Sequence, residues 1–166
     1  MNELKELMLQ PPKLTLAVAE SMTSGRIQAR VGAISGASNF FSGGITAYNL
    51  DQKVRHLGVD RAAATAVNCV SAGVAEQMAR GVCALFGADV GVATTGYAEP
   101  SADPVVPDPF AWWAIAWRQR DGSSATRSGR VDCPGASRVA AQEQVAEAAL
   151  AALVAWLKAA RQDLPT

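Results

Sequence analysis

Apolar and polar positions alternate between helical and extended periods along this chain, and the alternation predicts its elements. Residues 2 to 10 place Leu4, Leu7 and Met8 on one helical face, and Pro11-Pro12 ends the segment because the ring blocks helix continuation. Leu14 to Ala19 is an apolar run of strand length. It leads into a loop of small polar residues, Ser21-Met22-Thr23-Ser24-Gly25, and then into helical spacing from Arg26 to Ile34. A strand, a tight polar loop and a helix in immediate succession predict an α/β fold with a site at the carboxyl end of the strand. Further strands are expected at Gly44 to Tyr48 and Asp89 to Thr94, the latter closed by Thr95-Gly96. A helix is expected from Leu50 to Leu57, stopped by Gly58. Ser71 to Phe86 is the clearest helix, with Val74, Met78, Val82 and Leu85 on one stripe and Ser71 as its cap. Four prolines predict an irregular loop from Tyr97 to Pro109. Two strands, Phe110 to Gln119 and Ala125 to Val131, follow with a turn at Asp121-Gly122, and an Ala-rich helix runs from Ser137 to Ala160. Trp112 and Trp113, adjacent on one strand, must face opposite sides of the sheet.

With 166 residues, 49% of them hydrophobic, the chain is expected to form one domain, residues 1 to 166, around a single core. Its 15 basic and 15 acidic residues give a net charge of zero without blocks of like charge. That balance lacks the electrostatic footprint of a nucleic-acid or anionic-membrane binder. The N-terminal residues alternate charge with leucine, so no secretory signal is expected, and no apolar run has the length of a membrane span. His56 is the only histidine, and Cys69, Cys83 and Cys133 lack CxxC spacing, so neither a metal site nor a disulfide scaffold is predicted. Reduced thiols and a cytoplasmic location are the expectation.

Catalytic parts are scarce. Lys5 and Lys158 fall in terminal helices and Lys13 beside two prolines, which leaves Lys53 as the lysine of the chain's interior; Tyr48 and Tyr97 are the only tyrosines. Tyr48 and Lys53, at a strand end and on the next helix's first turn, can converge on one sheet mouth; they can equally be a core tyrosine and a solvated lysine. The Ser21 to Gly25 loop offers hydroxyls and free N–H groups at a helix start, suited to an anion or to ordinary capping by Thr23 or Ser24. Thr94-Thr95-Gly96 is a third polar turn.

These segments carry a resemblance. Ala19-Glu20-Ser21-Met22-Thr23-Ser24-Gly25 is similar to the AES-C-TGG signature of the CinA C-terminal domain family. Gly36 to Tyr48 resembles that family's G-S-S-x-x-F-x-x-G-x-V-T-Y segment, Lys53 with Leu57-Gly58-Val59 its K-x-x-x-L-G-V, and Val70-Ser71 with Met78 to Gly81 its V-S…M-A-x-G helix. The resemblance implies a compact α/β/α domain with a mixed sheet flanked by helices, often a homo-oligomer. It implies an amidohydrolase that converts the carboxamide of nicotinamide mononucleotide (NMN) to the acid and ammonia, with no metal or organic cofactor. Ser21 then falls on the nucleophile, Lys53 on the base and Tyr48 beside them. Backbone N–H groups at Thr23, Ser24 and Gly25 would hold the oxyanion; Thr95, Gly96 and Tyr97 would line the substrate pocket. Arg26 and Arg55 are expected neighbours that help depress the lysine.

The chain departs from the family pattern in three places, one of them the last helix, where Arg138 follows Pro134-Gly135 but Gln142 or Ala141 stands where a second arginine is expected. Ser24 replaces a glycine of TGG, and the glycine-rich loop after Thr95-Gly96 is rewritten with Tyr97, Glu99, Asp103 and Asp108. Added carboxylates do not favour a phosphate-bearing substrate. Two functions follow: an amidohydrolase acting on NMN or a related small amide, or a non-catalytic member binding a nucleotide-like ligand or a protein partner through Tyr97, Trp112 and Trp113.

Overall fold

The computed structural model describes residues 2–119 and 121–162. Its first half contains α1 (Asn2–Leu9), β1 (Leu16–Glu20), α2 (Arg26–Gly32), a 3-10 turn (Ala37–Asn39), β2 (Phe41–Thr46), α3 (Leu50–Leu57) and α4 (Arg61–Ala66). After these come α5 (Ala72–Phe86), β3 (Val90–Tyr97), the short β4 (Ser101–Ala102) and β5 (Val105–Val106), β6 (Phe110–Arg118), β7 (Ser124–Asp132) and α6 (Arg138–Gln162). Five strands form one mixed sheet in the order β2-β1-β3-β6-β7. The first three are parallel, while β6 and β7 each run antiparallel to the strand before them.

Alternation along the strands sorts side chains by size between the two faces. Leu16, Val18, Val90, Val92 and Ile115 lie on the face covered by α1, α2 and α6, where they meet Leu4, Met8, Ile27, Leu153 and Leu157. Ala17, Ala19, Ala93, Ala114 and Ala116 lie on the other, against Val74, Met78 and Val82 of α5 and Leu57 of α3. Short side chains let a helix approach the sheet, and glycines carry that approach further. A Cβ at Gly91 would overlap the Ala79 carbonyl of α5, and one at Gly81 would overlap the Leu57 carbonyl of α3. Trp113 packs into the first core and Trp112 into the second, on opposite sides as strand geometry requires.

Several boundaries differ from the sequence expectation. The strand expected at Gly44 to Tyr48 is Phe41–Thr46, because pairing with β1 runs from Leu16↔Phe41 to Glu20↔Thr46 and the chain then turns into α3. β3 continues through Thr95-Gly96 to Tyr97, since antiparallel β6 pairs Gly96 with Ala111 and Tyr97 with Phe110. The proline-rich loop is not wholly irregular: β4 and β5 pair within it, Ser101 with Val106 and Ala102 with Val105. α4 was not anticipated, although Asp60 caps it through Ala63 N–H at 2.7 Å, a readable signal ahead of an alanine run. No helix among the described residues is long and apolar enough to cross a membrane.

Because Gly81 sets the separation of α5 from the helix that carries Lys53, Gly81→Val is expected to cost about 2 kcal/mol or more of stability. Urea unfolding of the two proteins checks this.

Candidate active site

Ser21 is the first residue beyond β1, and the sheet pairing holds it on both sides. Its N–H donates to the Thr94 carbonyl of β3 at 3.1 Å, while the preceding Glu20 carbonyl accepts from Ala47 N–H at 2.9 Å. β1 lies between β2 and β3, where the strand order reverses, so the serine stands at the crevice outside the carboxyl ends of the parallel strands. The loop after it is drawn tight by Ser24 N–H to the Ser21 carbonyl, 3.2 Å. Ser24 takes a left-handed φ of 51°, so the serine standing for a glycine adopts the glycine's backbone conformation.

The start of α2 is occupied by the protein itself. The carboxylate of Glu20, wholly buried, accepts from Ile27 N–H at 3.1 Å, Gln28 N–H at 2.9 Å and Gln28 Nε2 at 3.1 Å. It takes the place at the helix dipole that an external anion would need. Sequence reading quoted Glu20 within a motif but gave it no role. An acidic residue just before a loop that opens a helix was the available signal.

Lys53 is brought in by local helix geometry. Asn49 caps α3, accepting from Gln52 N–H at 3.0 Å, and Lys53 on the first turn points back toward the helix N-terminus, as helical side chains do. There its Nζ donates to Ser21 Oγ at 2.8 Å, to the Ala47 carbonyl at 3.0 Å and to the Tyr48 carbonyl at 2.9 Å. Lys53 is 1% exposed, and burial lowers its pKa from 10.5 to about 8, opposed in part by charge on the neighbouring Cys69 sulfur. Arg26 and Arg55, expected to share in that depression, do not cause it. Arg26 is instead engaged by Glu143 of α6 at 2.8 Å.

Tyr48 and Lys53 border the same cavity, and the alternative of a core tyrosine and a solvated lysine is reversed: the lysine is core and the tyrosine ring is half exposed. Tyr48 serves the pair through its backbone carbonyl, which also receives the Ser21 hydroxyl at 3.4 Å. Its phenol does not reach Ser21 or Lys53. It accepts from Arg138 Nη2 at 2.7 Å, while Arg138 Nη1 pairs with Glu99 at 2.7 Å.

Ser21 and Lys53 open onto a cavity of about 300 Å³ whose walls include Thr95, Gly96, Tyr97 and the Arg138–Glu99 pair. Thr95 is fixed by donating to the Cys69 carbonyl at 2.7 Å, and the Tyr97 hydroxyl accepts from Asn68 at 3.0 Å. Asn68 and Cys69, both in the left-handed region at the end of α4, are wall residues that sequence reading did not find. Thr23, Ser24 and Gly25 do not line the cavity: Thr23 is buried with its hydroxyl on that of Thr94 at 2.7 Å, and Ser24 is exposed. His56 bonds Gln52 on its own helix and stands outside.

A mixed sheet covered by helices on both faces, with a buried lysine against a serine hydroxyl at the carboxyl ends of its parallel strands, defines the class as an α/β domain with a Ser–Lys pair. The chain belongs to the CinA C-terminal domain family, whose model matches residues 1–157. It is 42% identical over 144 residues to a CinA-like protein of Chlorobium limicola, covering 86% of this chain and 33% of that protein. A CinA-like protein of Chlorobaculum tepidum is 40% identical over 147 residues, 88% of this chain and 34% of its own length. The chain thus spans about a third of these curated relatives. Among solved structures, a competence-damaged protein (CinA) superfamily protein from Enterobacter cloacae superposes with a TM-score of 0.81 at 26% identity, covering 94% of this chain and 89% of that one. The competence damage-inducible protein A from Klebsiella pneumoniae gives 0.77 at 29% identity, covering 95% and 94%.

Lys53 makes stability depend on pH in a defined window. Between about 8 and 10.5 the unfolded chain holds this proton and the folded chain does not, so stability rises with pH there. The full rise is about 3 kcal/mol, and below pH 8 the cost is constant. In urea unfolding the native protein is expected to gain this amount across the window relative to Lys53→Met, because the Cys83 thiol, which burial pushes up to about 11, opposes the rise above pH 9 equally in both proteins. Separately, Glu20→Ala leaves two backbone N–H donors of α2 and the Gln28 side-chain amide without this acceptor and is expected to cost about 2 to 3 kcal/mol at pH 7 by the same measurement.

Proposed function

We propose that this chain is a Ser/Lys amidohydrolase that cleaves the carboxamide C–N bond of nicotinamide mononucleotide or a related small amide, releasing ammonia. The observation that carries this reading is the 2.8 Å contact between Lys53 Nζ and Ser21 Oγ, with the other two N–H directions of Lys53 taken by carbonyls. Carbonyls only accept. When Lys53 is neutral its two hydrogens therefore stay on Ala47 and Tyr48, and its lone pair is left facing Ser21. With a pKa of about 8, about a tenth of the molecules hold that form at pH 7.

In the first half-reaction neutral Lys53 takes the hydroxyl proton as Ser21 Oγ bonds to the amide carbon. The oxyanion is received by the backbone N–H of Met22, which lines the cavity beside Ser21 and donates to no other group among the described residues. Collapse of the tetrahedral species breaks the C–N bond, Lys53 returns its proton to the leaving nitrogen, and ammonia departs. A water then gives its proton to Lys53 and attacks the acyl-Ser21 ester, and the proton returns to Ser21 Oγ as the acid leaves. No step in this sequence calls on a metal or cofactor. Family membership supports a hydrolase of this kind, and the substrate is this reading's finer claim.

Ammonia release from NMN and a panel of small carboxamides tests the proposal. Ser21→Ala is expected to lower kcat/KM at least about 1000-fold, and unchanged turnover would sink the mechanism. The native enzyme's kcat/KM is expected to climb about tenfold per pH unit below 8 and flatten above it, as a lysine base titrates.

A further inference from the structure

Three charged side chains line the cavity among the described residues: Lys53, Arg138 and Glu99. Lys53 cannot anchor an anionic substrate, because its hydrogens are committed to Ser21 and two carbonyls and its reactive form is neutral. Arg138, the first residue of α6, is then the one remaining cation. Its guanidinium is already divided between Glu99 at 2.7 Å and the Tyr48 hydroxyl at 2.7 Å. With Lys53 neutral the lining carries one positive and one negative charge, a sum of zero.

We propose that Glu99 sets the substrate class of this site, admitting carboxamides that lack an anionic group and disfavouring those that carry a phosphate or carboxylate, by holding the Arg138 guanidinium at the cavity mouth. The inference rests on the amidohydrolase reading above and narrows it. The side chains of Arg138 and Glu99 are 44% and 60% exposed, and an ion pair so placed adds little to stability. Its consequence is for what enters. A phosphate must compete with Glu99 for Arg138 Nη1 and with the Tyr48 hydroxyl for Nη2, and then lie beside the Glu99 carboxylate, meeting like charge. A neutral or cationic amide meets neither obstacle, and the rings of Tyr48 and Tyr97 at the same mouth favour a planar or cationic group. The other acids of this loop do not share the role. Asp108 accepts from Gly135 N–H at 2.9 Å, and Asp103 borders a separate groove with Val105 and Val67.

Calorimetric binding of NMN and of its dephosphorylated nucleoside to Ser21→Ala protein at pH 9, where Lys53 is neutral in about nine tenths of the molecules, with and without Glu99→Gln, tests this without relying on turnover. The nucleoside is expected to bind at least about tenfold more tightly when Glu99 is present. Glu99→Gln is expected to tighten NMN about tenfold and so erase or reverse the ratio. A ratio of the two Kd values unmoved by Glu99→Gln, tighter binding of NMN with Glu99 in place, or no binding of either ligand to either protein overturns the proposal. Ammonia assays with Ser21 intact run in parallel. No ammonia from either compound, with the Kd ratio shifting as expected, would overturn the amidase reading and leave the selectivity of Glu99 standing.

Discussion

Lys53 holds its amine beneath the surface of this protein, 2.8 Å from a serine hydroxyl, and the surrounding structure is what makes that position tenable. A buried ammonium without acceptors costs several kcal/mol, so the Ala47 and Tyr48 carbonyls must be present and correctly aimed. They are aimed because β2 leaves the sheet after Thr46 and the Asn49 cap turns the chain at once into α3. The same burial that strains the charged form lowers its pKa toward neutrality. One constraint thus orients the amine and lowers its pKa.

The two faces of the sheet serve the site in different ways. On the alanine-lined face, close approach brings α5 to the strands and α3 to α5, which fixes the origin of Lys53. The large aliphatic side chains of the opposite face support α6, whose first residue, Arg138, extends over the cavity mouth. Glu143 of α6 ties this helix to α2 through Arg26 at 2.8 Å and Arg30 at 2.6 Å. The serine, the lysine and the mouth therefore come from three layers, and their separation is set by core volume.

Much of this was legible from pattern. The helix at Ser71 to Phe86 and the opposed tryptophans follow from side-chain period, a local property of the chain. The ends of β2 and β3 were less legible, because a strand stops where its neighbour stops pairing with it. Within the site, a resemblance joined Ser21 to Lys53, and spacing by itself left Lys53 open between the sheet mouth and solvent. The helix start at Thr23 to Gly25 looked available to an anion because nothing local revealed that Glu20 would fold back onto Ile27 and Gln28. Tyr48 drew attention for its phenol, yet its carbonyl faces the lysine; backbone roles leave no mark on residue type.

By itself, the sequence determined the α/β order, the face each strand residue takes, the scarcity of lysine and histidine, and the acids in the loop after Gly96. These are matters of period and composition, readable without knowing what touches what. Tertiary structure alone decided that Lys53 is buried, that Glu20 fills the helix start, and that Glu99, of the acids in its loop, meets Arg138. Lys53 with Ser21 and Glu99 with Arg138 join residues far apart in the chain, and Glu20 reaches across a loop to Ile27 and Gln28. Desolvation and charge pairing depend on distances that only packing sets.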